Sequence, residues 1–99
     1  MDFEWDDAKA NLNRAKHGVR FSEAVSVWLD ENALEMPDPE HSQSDDRWIR
    51  LGLSSALRVL IVVYAQKIEG AVIRIISARK AIKEEQLQYN KRVTHEKEI

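Results

Sequence analysis

Ile73-Arg74-Ile75-Ile76-Ser77-Ala78-Arg79 is an apolar run with one arginine inside it and another at its end, where a helical pattern begins. It reads as a strand over Val72 to Ala78. Successive side chains of a strand point to opposite faces. On strict alternation Ile73, Ile75 and Ser77 share one face, while Arg74, Ile76 and Ala78 share the other. A guanidinium among packed apolar side chains is costly unless it meets a partner. Its planar fork suits phosphate or carboxylate. The stretch therefore predicts a sheet strand and an anion for Arg74 and Arg79.

Working outward, Arg58 to Ala65 is almost continuously apolar, the pattern of a central strand. Trp48 to Leu53 alternates around Arg50 and makes a third strand. The connectors, Ser54-Ser55-Ala56 and Gln66 to Gly70, are short enough for antiparallel hairpins. Further upstream, Asp30 to Asp46 is acidic and turn-rich, with Pro37 and Pro39; Ala33-Leu34-Glu35-Met36 is a candidate short strand and His41 to Asp46 an exposed loop. Two helices come first. Asp6 or Asp7 suits the N-cap of one, in which Ala8, Leu12 and Ala15 recur toward a core with Lys9, Asn13, Arg14 and Lys16 outward. Gly18 ends it. Ser22 suits the cap of the second, with Ala24, Val25 and Trp28 inward. Phe3-Glu4-Trp5 is another candidate short strand. After the strands, Ala81, Ile82, Glu85 and Tyr89 mark a last helix, and a charged tail from about residue 90 is expected to fray. The order predicts an α+β fold: two N-terminal helices, a small twisted antiparallel sheet of three to four strands and a C-terminal helix, in one domain over 1–99.

Composition narrows the function classes. There is no cysteine, so disulfides and thiolate metal sites are excluded, and a reducing compartment fits. The acidic N-terminus has no apolar h-region, and no apolar run approaches the ~20 residues that span a bilayer. The expectation is a cytoplasmic protein without a membrane partner. The net charge of −2 is unevenly spread. Residues 30–46 hold only acidic charges, while residues 58–83 hold Arg58, Lys67, Arg74, Arg79, Lys80 and Lys83 against Glu69. Such a basic segment can bind a local stretch of polyanion although the whole chain is acidic.

Arg47, Arg58, Arg74 and Arg79 lie in or at the ends of the predicted strands, where neighbouring strands can gather them into a phosphate site. The alternative is pairing with the acidic segment or with Glu84 and Glu85. His17, in Lys16-His17-Gly18, sits at a helix end, where it can act as general acid or base, or as a cation facing the helix dipole. His41 and His95 fall in a loop and in the tail, positions of solvated histidines. The acidic loop around His41 has no calcium-loop or zinc spacing. No glycine-rich phosphate loop is present, so neither metal nor nucleotide cofactor is expected. Trp5, Trp28 and Trp48 are spaced as core anchors rather than as a base-stacking platform.

Phe3-Glu4-Trp5-Asp6, Lys9, Asn13, Lys16-His17-Gly18-Val19, Phe21, Ala24, His41-Ser42, Arg47, Gly52, Arg58, Ile73 to Arg79, Ala81, Glu85 and Tyr89 together resemble the BrnT toxins of bacterial type II toxin–antitoxin systems. The resemblance spans residues 3 to about 89. It implies a RelE-like fold and a metal-independent endoribonuclease, in which the ribose 2′-OH attacks the adjacent phosphate and cationic side chains stabilise the developing charge. It implies translation inhibition through RNA cleavage, neutralisation by a cognate BrnA-like antitoxin, and contact with operator DNA only through that antitoxin; a homodimer within the complex is compatible with it. On this reading Arg74, Arg79, Arg58, Arg47 and His17 are catalytic, and Lys9, Lys16, Lys80 and Lys83 bind substrate. Relatives often carry Glu two residues before the arginine at position 47, where this chain has Asp45, one methylene shorter. The other reading is a catalytically inactive antitoxin-binding protein acting in operon autoregulation.

Overall fold

The computed structural model describes residues 1–40 and 46–98, with side chains as far as Thr94. His41, Ser42 and Asp45 lie outside the described residues, and so does the side chain of His95. The elements are β1 (Asp2–Glu4), α1 (Asp7–His17), α2 (Phe21–Val25) running into a 3₁₀ turn (Ser26–Leu29), β2 (Leu34–Pro37), β3 (Arg47–Leu53), β4 (Val59–Lys67), β5 (Val72–Lys80) and α3 (Lys83–Glu98). The architecture is α+β, as expected. The sheet, however, has five strands in the order β1-β5-β4-β3-β2. Both short candidate strands join it, and β1 runs parallel to β5, so the sheet is mixed rather than antiparallel. α3 continues to Glu98, through the charged stretch from residue 90.

Helix ends follow local chemistry. Asp6 is the N-cap of α1 and its Oδ1 accepts the Lys9 N–H at 3.0 Å. Gly18 closes the helix at φ 68°, the left-handed conformation that glycine adopts without strain. α2 begins one residue before the expected cap: Arg20 precedes Phe21 with no side-chain cap, and Ser22 lies inside the helix.

The helices sit on both sides of the sheet. On the first face Val19, Phe21, Ala24 and Val27 pack against Leu60, Val62, Tyr64, Ile73, Ile75 and Ala78, with Trp5, Trp28 and Trp48 at the margin. Trp28 stacks edge-on against Phe3 and Tyr64, at 5.2 and 4.9 Å between centroids. On the second face Tyr89 and Val93 of α3 pack against Leu51, Val59 and Ile61. The Tyr89 hydroxyl donates to Asp30 Oδ2 at 2.7 Å, and the same oxygen accepts the Leu53 N–H at 2.8 Å. α3 is thereby tied to the turn before β2. Gly52 lets that turn close over β3: a Cβ there would lie 3.1 Å from Ala33 Cβ and 3.3 Å from Val27 Cβ.

The docking of α1 differs from the expected amphipathic pattern. Its buried residue is Asn13, whereas Ala8, Leu12 and Ala15 are exposed. The Asn13 amide donates to Ala78 O at 2.8 Å and to Val19 O at 3.0 Å, and its Oδ1 accepts the Ala78 N–H at 3.1 Å. A side chain thus replaces a strand where β1 ends and β5 continues. Replacing Asn13 with Ala leaves the Ala78 N–H and two carbonyls without these partners. Each unsatisfied buried group costs about 1–3 kcal/mol. Asn13→Ala should therefore lower the unfolding free energy by about 3 kcal/mol or more, read by urea denaturation; a loss below about 1 kcal/mol, the low end for even one such group, would show that this contact does not hold α1.

Candidate functional site

A β-bulge decides which side chains meet. The β4–β5 register pairs Val63 with Ser77 but Tyr64 with Ile75, so Ile76 is the extra residue on β5. Beyond it the alternation is reversed. Ala78, expected beside Arg74, is buried with Ile73 and Ile75 on the first face. Arg74, Ser77 and Arg79 pair with Ala65, Val63 and Ile61, alternate residues of β4, and so share the second face. Strict alternation would have put the two arginines on opposite faces.

Arg47 joins them. It pairs with Ala65 on β3, directly across from Arg74 on β5. Strand spacing puts their backbones about 10 Å apart, within the joint reach of two arginine side chains. α3 covers only the far part of this face. Next to it a cavity of about 210 Å³ is floored by Ile49, Ile61 and Val63 and walled by Ser77, Arg79, Asp38, Pro39 and Glu40. Asp38 is buried, and its Oδ1 accepts the Glu40 N–H at 3.0 Å. Asp38, Glu40 and Ser77 were not among the residues the sequence singled out for this face. The signal was Pro37-Asp38-Pro39, since two prolines restrict the chain just before β3.

Arg74, Arg79 and Arg58 have carboxylate partners, but only Glu85, on Arg79, is one the sequence reading named; Glu4 and Glu23 lie outside the acidic segment. Arg79 bonds Glu85 through both terminal nitrogens, at 2.8 and 2.9 Å. Arg74 bonds Glu4 at 2.7 Å, and Lys67 reaches the same oxygen at 3.3 Å. Both side chains keep more than a third of their surface exposed. Arg50 lies over the Trp28 ring, pairs with Glu35 at 3.0 Å and donates to Val27 O. Arg58 is not brought to the cluster. It bonds Glu23 and the Gly18 carbonyl, so it braces the end of α1.

The remaining expected residues lie elsewhere. His17, Lys9 and Lys16 line a groove of about 610 Å³ between α1 and β5, together with Ser77. Ser77 borders both concavities, so the groove and the arginine cavity meet there. Lys80 lies beside Arg58 on a third surface, and Lys83 is exposed at the start of α3. Among the described residues no three His, Asp or Glu side chains are placed to hold a metal ion, and no helix is long and apolar enough to cross a membrane.

Ion pairing shifts the carboxyls. Arg79 holds Glu85 below its ordinary range, against burial and with help from the Ile82 N–H. Arg58 does the same for Glu23, against burial and with help from Ser54. A carboxyl depressed in the folded state contributes stability that is fully present above its unfolded value, about 4.3, and is lost as pH falls through the folded value. Glu85→Gln should therefore be less stable than the parent at pH 7. The gap should close as pH drops below about 4, the acid side of that unfolded value. Chemical denaturation across this range checks it; a gap independent of pH would exclude the ion pair as its origin.

The chain matches the family model described as "Ribonuclease toxin, BrnT, of type II toxin-antitoxin system" over residues 5–85. Among solved structures it is similar to the Brucella abortus ribonuclease toxin BrnT, whose crystal structure was determined at 1.1 Å resolution. The similarity has a TM-score of 0.64 at 25% identity and covers 84% of this chain and 99% of that one. No curated protein matches the chain.

Proposed function

The chain belongs to the BrnT family of ribonuclease toxins of type II toxin–antitoxin systems, and from that premise we propose that it cleaves RNA on the arginine-bearing face of its sheet. The observation that carries the reading is the gathering of Arg47, Arg74 and Arg79 on one partly uncovered face. Arg74 and Arg79 bind the scissile phosphate and stabilise the charge that builds as the ribose 2′-OH attacks it; Arg47 assists from the neighbouring row. Asp38 and Glu40 line the same cavity as Arg79. Lys9, Lys16 and His17 line the adjoining groove and hold the RNA backbone, with His17 as an acid–base group. Arg58 acts at a distance by bracing α1 and thus the groove. The reaction runs without a metal, in the cytoplasm, and a cognate antitoxin holds it in check.

Phosphate must displace Glu4 and Glu85 from the arginines, or share them. Exposed ion pairs are worth only about 0–1 kcal/mol, while one transition-state contact is worth about 10²-fold in rate. The exchange therefore favours phosphate in the transition state. A second reading, an inactive antitoxin-binding protein, draws support from the pairing of Arg74 and Arg79 with carboxylates.

RNA cleavage by the purified chain separates the two. Arg74→Ala and Arg79→Ala should each slow it by about 10²-fold with the fold intact by circular dichroism, and EDTA should not slow it. Full activity in the folded double variant would remove the phosphate assignment; no activity in the parent chain would favour the second reading.

His17→Gln should lower cleavage and flatten its pH dependence, as the loss of an acid–base group would. An unaltered rate and pH profile would leave His17 as a helix-end residue.

A further inference from the structure

We propose that the groove between α1 and β5 is the docking surface for an acidic, amphipathic segment of the antitoxin, one apolar anchor flanked by carboxylates. The inference rests on the toxin reading for the existence of the partner and adds where and how that partner binds. The first observation is an apolar stripe with no core of its own. Leu12 is 71% exposed and Ala15 is exposed, because α1 turns Asn13 rather than these residues into the protein. Both line the groove with Ile76, the residue that the bulge displaces from the ladder. An exposed leucine alone means little. Here it is part of a concave apolar floor of about 610 Å³, room for a side chain or two of a partner.

The second observation is charge. Lys9, Lys16 and His17 surround the floor. Neither lysine takes part in an ion pair among the described residues, unlike Arg58, Arg74 and Arg79. An acidic partner thus finds cations that the chain itself leaves to solvent, in keeping with the complementary potentials that steer association. The basic segment 58–83, read from the sequence as able to bind polyanion, has its arginines matched internally. The third observation favours protein over nucleic acid for the apolar part: no Phe, Tyr or Trp lines the groove, and His17 at its margin is the one ring a base would find there. Ser77 links the groove to the arginine cavity. An occupant taking Lys9 and Lys16 would therefore displace RNA from the approach to the phosphate site, which is a direct route to neutralisation.

The test titrates the full chain with the antitoxin encoded beside it, by calorimetry. Leu12→Asn should weaken binding by about 10- to 100-fold, the worth of one buried leucine, and Leu12→Asn with Ala15→Gln should weaken it further. Added salt should slow association of the parent. RNA cleavage by the free variants should be unchanged, since neither residue belongs to the proposed catalytic or substrate-binding set. An unchanged Kd in both folded variants overturns the groove as the docking surface. Impaired RNA cleavage with an unchanged Kd overturns it too, and makes the groove a substrate path. Failure of the parent chain itself to bind the antitoxin is a different result: it removes the toxin reading, and this inference with it.

Discussion

The paired hydrogen bonds between the Asn13 amide and the backbone of Ala78 hold the structure's two halves in register. β1 ends at Glu4, and β5 runs six residues further. The backbone groups on that free edge need partners as much as any others, since a buried N–H or C=O left alone is costly. An asparagine side chain presents one donor side and one acceptor, so it can imitate a neighbouring strand. The third bond, to Val19 O, fixes the chain as it leaves α1. That chain leads into Val19 and Phe21, both in the main core. One polar side chain therefore positions a helix, terminates an edge and sets the entry to the core.

The bulge at Ile76 depends on the same region and has the larger consequence for chemistry. A bulge inserts one residue and re-aims the side chains beyond it. Here it turns Ala78 inward, where Asn13 can reach its backbone, and turns Ser77 and Arg79 to the face of Arg74. It also leaves Ile76 at the groove. The groove and the arginine face are thus two products of one irregularity, with Ser77 common to both.

The carboxylates around the arginines balance the charge of the basic face in the folded chain. Three guanidinium groups on one face without partners would repel one another. Glu4 and Glu85 neutralise Arg74 and Arg79 in the resting protein, and each comes from an element at the rim of the face, β1 or α3. Glu85 also accepts the Ile82 N–H at 2.9 Å, so it caps α3 while it orients Arg79. The bidentate bond fixes the guanidinium plane. A ligand approaching the cavity wall then meets a cation already oriented.

Much of the fold was legible from patterning alone. Apolar runs, alternating in β3 and almost continuous in β4, marked the long strands, Asp6 and Gly18 bounded α1, and the tryptophans were placed against the core, where they pack at its margin, because these features depend on local geometry and burial. The family resemblance was equally legible, since it is carried by residue identity at spaced positions. The short strands β1 and β2 were only candidates, because three or four residues carry too little pattern and are stabilised by their neighbours in the sheet. The inward face of α1 was misread: a helical period places Leu12 inside unless a polar residue is called in by unpaired backbone elsewhere, and that demand arises sixty-five residues away. The faces of Ser77 and Ala78 were misread for a related reason. Alternation is a property of a strand by itself, but a bulge belongs to a pair of strands, and only the tertiary structure, where β4 meets β5, decided where the two arginines point.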